Sequence, residues 1–177
     1  QPDAPPACHP DKQQRKQLTI ALPAFTCQVV RAAAKRANSE IIYYDYDIDI
    51  NINKINKIIK EKPDVLLLCY NFGYLPKELT KISGLCKKNN IILVEDCAQA
   101  LGAKNNNKLA GSFGDYALYS FGISKNIGFT GGILASNEKL ELPKQKPEPI
   151  INLLKKIIES GIGSIILNKY FYPLFAK

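Results

Sequence analysis

Methionine and tryptophan are absent from this chain, and histidine occurs once, as His9. A single imidazole beside Cys8 in a proline-rich tail gives neither a Ser-His-Asp relay nor a histidine-ligated metal site enough material, so both classes are set aside. The five cysteines, Cys8, Cys27, Cys69, Cys86 and Cys97, form no CxxC pair, and their number is odd. A zinc ribbon and a complete disulfide framework are therefore not suggested, and reduced thiols in the cytoplasm are expected. No uninterrupted apolar run reaches membrane-spanning length, and the opening "QPDAPPACHPDKQQRK" lacks the apolar core of a signal peptide. The lack of methionine and the start at Gln1 lead to the expectation of a fragment of a longer protein.

Acidic residues are also few: 16 Asp and Glu against 24 Lys and Arg leave a formal charge of +8. Such a balance favours polyanions through long-range attraction. The lysines are nevertheless scattered along helix-like segments, as at Lys54, Lys57, Lys60 and Lys62, with no basic block and no RNA-binding aromatic motif. They read as a solvated face, and nucleic acid is not an expected partner. With 46% hydrophobic residues in 177 positions, the chain can bury one sizeable core and is too short for two comfortable domains.

What is present is an alternation. "QLTIALPAFT" is a short apolar run closed by Pro23, a strand leading into a turn. Thr26 is then placed to cap the helix of "CQVVRAAAKRAN", with Val29, Val30, Ala33 and Ala34 on one face. "EIIYYDYDID" reads as a strand, and "INKINKIIKEK" as an amphipathic helix grouping Ile52, Ile55, Ile58 and Ile59. "PDVLLLCYNFG" is a continuous apolar strand. A helix over residues 76–88, the strand "NIILVEDCAQALGA", a Gly/Asn turn region and the strands "YALYSFG" and "GGILAS" follow. Strands alternating with helices, and apolar on both faces, predict an α/β fold with a mostly parallel sheet covered by helices. Past residue 142 the composition shifts to the linker-like "PKQKPEP". "IINLLKKIIESGIGSIILNKYFYPLF" then reads as an amphipathic helix, a glycine break and a second apolar segment, which either completes this core or packs on a partner.

Ligands of such sheets bind beyond the carboxyl ends of the strands, which directs attention to residues 23–27, 95–99 and 120–126. In "SFGISKNI", Lys125 sits among small and apolar residues. Partial desolvation there favours the neutral amine that attacks carbonyls to form a Schiff base, although an exposed loop lysine is the commoner case. In "ILVEDCAQALGA", Glu95 and Asp96 follow Ile91, Ile92, Leu93 and Val94, a run expected to be buried. A carboxylate in that place needs a cationic or proton-donating partner, for which a pyridinium nitrogen serves. Joint metal ligation by the two carboxylates is the alternative, disfavoured because neighbours on a strand point to opposite faces.

The run "VEDCAQALGAKNNNKLAGSFGDYALYSFGISKNIGFTGG" resembles the DegT/DnrJ/EryC1/StrS family of pyridoxal-phosphate-dependent sugar aminotransferases. The motifs occur in the family's order: the E-D-x-A-[HQ] strand end, the G-x-x-G-D turn at residues 111–115, the S-F-x-x-x-K-N segment, and the pair Gly131 and Gly132. "PAFTC" is similar to the family's earlier P-x-x-T segment, so the resemblance covers roughly residues 18–140. It implies a partial large domain of the fold-type-I aminotransferase architecture over residues 18–142, between a loose tail at 1–17 and the linker and apolar helical segment at 143–177. By position, Lys125 would bond covalently to pyridoxal 5'-phosphate and move the proton between substrate and cofactor carbons. Asp96 would pair with the pyridine nitrogen, Gln99 would lie against the ring, and Ser120 would donate to the phosphate. Thr26 and Asn126 complete the cofactor-binding set implied, with Gly131 and Gly132 in support.

Three departures accompany these matches. Cys27 stands where many members present an aromatic residue to the ring. The family's Gly-Thr phosphate turn and its C-terminal small domain have no counterpart in residues 1–17 or 143–177. The resemblance thus implies a partial aminotransferase of a nucleotide-linked keto-sugar, with glutamate as amino donor. The parent protein is expected to be a cytoplasmic homodimer serving polysaccharide or related sugar biosynthesis. The alternatives are a sugar dehydratase with the same cofactor, against which Lys125 argues, and a noncatalytic remnant that binds a partner.

Overall fold

The computed structural model describes residues 17–122, 125, 131–140, 151, 152 and 155. The expected tail, Asn126, and the linker and apolar segment past residue 142 otherwise lie outside the described residues. Six strands form one sheet: β1 (Thr19–Pro23), β2 (Glu40–Tyr44), β3 (Val65–Cys69), β4 (Ile92–Asp96), β7 (Tyr116–Ser120) and β8 (Gly132–Ser136). A small antiparallel pair, β5 (Lys104–Asn105) and β6 (Lys108–Leu109), lies in what the sequence marks as a Gly/Asn turn region. Asn106 and Asn107 form its two-residue turn at φ 48° and 63°, where asparagine is among the residues that tolerate the left-handed region.

The strand order is β2-β1-β3-β4-β7-β8, parallel throughout except for the antiparallel β7–β8 pair. The expected mostly parallel α/β sheet is thus observed. From β1 the chain moves outward to β2, then returns across to β3. The boundary between β1 and β3 is the point where strand order reverses, and the crevice beyond their carboxyl ends is where such sheets bind ligands.

The central strands β1 and β3 are apolar on both faces, and helices cover both. On one face Ala21, Leu66, Leu68 and Leu93 pack with Ile55 and Ile58 of α2 (Ile52–Lys60) and Leu79, Ile82 and Cys86 of α3 (Leu79–Lys88). On the other, Leu22 and Leu67 pack with Ala34 of α1 (Gln28–Arg36). The grouping of Ile52, Ile55, Ile58 and Ile59 is as expected, and Asn51 caps α2 by accepting from the amides of Asn53 (3.1 Å) and Lys54 (3.2 Å).

Three local expectations are corrected. Cys27, not Thr26, is the N-cap of α1 and makes no side-chain cap bond; the Thr26 hydroxyl turns instead to Cys69. On α1 only Ala34 is buried and Val30 half-buried, while Val29 is 69% exposed and Ala33 is exposed. Positions 30 and 34 stack at i,i+4, and a nine-residue helix over a narrow patch has no room to bury the row beside them. Ile92, expected inside, is 40% exposed, because alternation in β4 sends Leu93 and Glu95 into the main core.

Buried thiols and phenols predict an alkaline limit to stability. Burial pushes the Cys69 thiol up to about 12 and Cys86 up to about 11, and raises Cys97, Tyr44 and Tyr70 as well. Between the unfolded and folded pKa the unfolded chain binds fewer protons, so raising the pH favours unfolding. Unfolded cysteines titrate near ~8.5, so the urea midpoint is expected to fall from about that pH upward. A midpoint that stays level from pH 7 to 10 would contradict the burial of these groups.

Candidate active site

Neighbouring carboxylates at the end of β4 have different work. Glu95 is fully buried and accepts from the Tyr70 hydroxyl (2.8 Å) and the backbone amides of Gly111 (2.8 Å), Phe113 (2.7 Å) and Gly114. Asp115 closes the same turn by accepting from the Leu93 amide at 2.8 Å. The G-x-x-G-D segment is therefore a backbone loop wrapped around one carboxylate. Its glycines are steric necessities: a Cβ on Gly114 would stand 2.6 Å from the Leu93 carbonyl oxygen, and Gly111 has φ +84° with the Tyr119 ring against it. The charge on Glu95 also helps to raise the Tyr70 phenol, after burial itself.

Asp96 is half-buried at the carboxyl end of β4, the strand beside β3. Its Oδ2 accepts from the Cys69 thiol at 3.6 Å, and its Oδ1 from the Ala98 amide at 3.1 Å. Cys69 in turn lies 3.4 Å from the Thr26 hydroxyl. Burial and then the charge of Asp96 hold the thiol protonated, outweighing the opposing contact from Thr26. With that proton directed at Asp96, Thr26 donates to the sulfur. A contact chain Thr26–Cys69–Asp96 thus links the ends of β1, β3 and β4. Cys69 is absent from the sequence-derived site; its position as the last residue of an apolar strand was the available signal.

Ser120 ends β7 and is half-buried. The β7–β8 pairing continues through the Phe121 amide to the Gly131 carbonyl at 2.9 Å. Lys125 is tied back by its amide to the Gly122 carbonyl at 2.8 Å, and its side chain is half-buried. A Cβ on Gly122 would lie 3.8 Å from Lys125 Cγ and 4.0 Å from Ser120 Oγ, so the lysine and the serine share one neighbourhood. Among the described residues, no carboxylate makes an ion pair with Lys125. Lys125 and Gln99 line a common groove of about 680 Å³ with Phe72, Gly73 and residues 100–103. Gln99 is exposed, and its Oε1 accepts from the Phe72 amide at 2.7 Å.

The donor set suits a pyridoxal phosphate. Lys125 supplies an amine free of described ion pairs, Ser120 a hydroxyl beside it, and Asp96 a carboxylate on which each oxygen has one described donor and can accept another. No group of three or more His, Cys, Asp or Glu side chains among the described residues suits a metal ion. No helix there is long and apolar enough to cross a membrane.

A parallel sheet with an antiparallel edge strand, and a lysine beyond the carboxyl ends of its strands, define the large-domain class of fold-type-I pyridoxal-phosphate enzymes. Residues 13–145 match the DegT/DnrJ/EryC1/StrS aminotransferase family, to which the chain belongs. The aminotransferases of this family depend on pyridoxal phosphate. The pleiotropic regulatory protein of Geobacillus stearothermophilus is 30% identical over 120 residues, covering 65% of this chain and 32% of the relative. A UDP-4-amino-4,6-dideoxy-N-acetyl-beta-L-altrosamine transaminase of Campylobacter jejuni is 31% identical over 136 residues, covering 74% of this chain and 36% of the relative. Among solved structures, a GDP-4-keto-6-deoxymannose-3-dehydratase with bound GDP-perosamine matches with a TM-score of 0.63 at 25% identity, covering 70% of this chain and 33% of the dehydratase. The chain spans about a third of the length of these curated relatives (32% and 36%).

Proposed function

We propose that this chain is part of a pyridoxal-phosphate-dependent aminotransferase of nucleotide-linked keto-sugars, acting in the cytoplasm as a homodimer with glutamate as amino donor. Polysaccharide or related sugar biosynthesis is the process it would serve. What supports this reading is that Thr26, Cys69 and Asp96 are linked at the ends of β1, β3 and β4, while Ser120 ends β7 of the same sheet with Lys125 in its neighbourhood.

When bound, the cofactor supplies an aldehyde and an electron-withdrawing pyridine ring, the chemistry that transamination requires. Residues of this chain hold and serve it. Lys125 Nζ is the nucleophile and the carrier of the proton, Asp96 stabilises positive charge at the ring nitrogen, and Ser120 Oγ donates to the phosphate. Cys69 donates to the Asp96 carboxylate, and Thr26, which contacts Cys69, and Gln99 belong to the proposed cofactor-binding set. Asn126, which lies outside the described residues, stays in the proposed cofactor-binding set.

Mixing the chain with pyridoxal phosphate is expected to give a visible absorbance band that borohydride fixes as a covalent adduct on Lys125. Lys125→Ala should abolish both. An unchanged band in that variant would overturn the lysine's role, and no band in the parent chain would favour a noncatalytic, partner-binding module. Similarity to the dehydratase keeps elimination as the second reading. Product analysis with a keto-sugar nucleotide and glutamate separates an amino-sugar from a deoxy-sugar product.

A further inference from the structure

Phe72 is the most exposed large hydrophobic side chain described, at 73%, and it stands on backbone in the left-handed region, φ 60° and ψ 17°. Among the described non-glycine residues at positive φ it is the only aromatic; four are asparagines and the other is Lys62. Such backbone is unfavourable for a bulky residue and persists where surrounding structure enforces it. Here the enforcement is visible. Gln99 Oε1 accepts the Phe72 amide at 2.7 Å, and the next residue is Gly73 at φ 75°, where a Cβ would come 3.2 Å from the Gln99 carbonyl oxygen. Core burial does not offset the strain, because the ring is outside the core. The turn instead presents the ring as a wall of the groove that Lys125 also lines.

That groove adjoins the cofactor set. Thr26, Asp96 and Ser120 are not among its walls, and Lys125 and Gln99 are the residues shared. A volume of about 680 Å³ suits a small molecule. Its lining includes the exposed Phe72 and Leu101 and the Gln99 amide, and among the described residues Lys125 is the one ionisable side chain lining it. With Oε1 committed to Phe72, the Gln99 NH₂ remains a donor without a described partner. A flat aromatic wall, an amide donor and an amine at one end match a pyranose ring. One face of the ring presents C–H groups for the aromatic surface, its edge presents oxygens, and its reacting carbon must lie within reach of the lysine that moves the proton.

We propose that Phe72 is the platform on which the sugar ring of the substrate lies, held in place by Gln99, with the reacting carbon directed to Lys125. This rests on the aminotransferase reading for the choice of a sugar, and its test is independent of cofactor binding. The probe is UDP-N-acetylglucosamine, with UDP as control, titrated into the full chain and followed by saturation-transfer NMR and equilibrium binding. Phe72→Gly keeps the turn, since glycine adopts φ 60° without strain, so its thermal midpoint is expected to be no lower than that of the parent chain. It should weaken UDP-N-acetylglucosamine binding about 3–10-fold and erase saturation of the sugar-ring protons, leaving UDP binding unchanged. Phe72→Tyr should retain binding, and Gln99→Ala should weaken it in the same direction as Phe72→Gly.

Equal affinity in Phe72→Gly would overturn the platform, as would loss of saturation at the uridine protons in place of the sugar, or no sugar-nucleotide binding by the parent chain. Failure of the Lys125 adduct with Phe72-dependent sugar binding intact would sink the cofactor reading and leave the platform standing.

Discussion

Glu95→Ala is expected to lower the stability of the chain by about 3–5 kcal/mol, enough to unfold a domain of ordinary stability. The described hydrogen bonds of this buried carboxylate are all accepted from donors: the Tyr70 hydroxyl and three backbone amides of the turn around residues 111–114. Truncation leaves those donors facing a cavity, and each unpaired buried polar group costs about 1–3 kcal/mol. Glu95→Gln keeps the volume but sets an NH₂ against the amide donors, so it should cost about 2–3 kcal/mol. Tyr70→Phe removes one neutral partner and should cost about 1 kcal/mol. Urea denaturation followed by far-UV circular dichroism measures all three. A midpoint for Glu95→Gln within error of the parent would mean that the turn is held by something other than this carboxylate. The consequence reaches the site, because Asp96 is the next residue and the same turn feeds β7, which carries Ser120.

Much of the sheet was legible because its signals are local. A run such as Leu66, Leu67 and Leu68 is apolar on both sides, which only a strand covered by helices on both faces accommodates, and all three are buried. The same periodic logic found the α2 face, where four isoleucines recur at helical spacing. It failed on α1, where alanine and valine are apolar but how much of the helix is covered depends on the neighbouring strands. Cap identity failed for a related reason: Thr26 has the chemistry of an N-cap, yet a long-range partner, Cys69, takes its hydroxyl. The β5–β6 pair is only two residues per strand, too short for alternation to register.

The candidate site divides along the same line. Lys125, Asp96 and Ser120 stood out because their types and order carry a chemistry. Glu95 was legible as a buried carboxylate beside Asp96, but its role was not, since its partners are backbone amides that any residue possesses. Cys69 carried no signal beyond its place at the end of a strand, and Phe72 none beyond its place in the turn that follows. What marks them is a dihedral angle and a contact between distant segments, and neither is written in a single sequence.

Asp96→Ala carries the second large expected effect, on cofactor affinity. Under the proposed assignment this carboxylate offers a charged acceptor to a protonated ring nitrogen, and a hydrogen bond to a charged group contributes about 1.5–3 kcal/mol. Removing it should weaken pyridoxal phosphate binding roughly 10–100-fold, measured by absorbance titration of the full chain. Asp96→Asn keeps the shape and loses the charge, so it should fall between the parent and Ala. Cys69 supplies the internal control. Cys69→Ser retains a donor toward Asp96 and should bind within a few-fold of the parent, whereas Cys69→Val removes the donor from Oδ2 and breaks the link to Thr26. The expected order of affinity is therefore parent, Cys69→Ser, Cys69→Val and Asp96→Ala, with stability by urea denaturation unchanged in the serine variant. If Asp96→Ala binds within two-fold of the parent while Lys125→Ala abolishes the adduct, the lysine is assigned correctly and the carboxylate is not its partner across the ring.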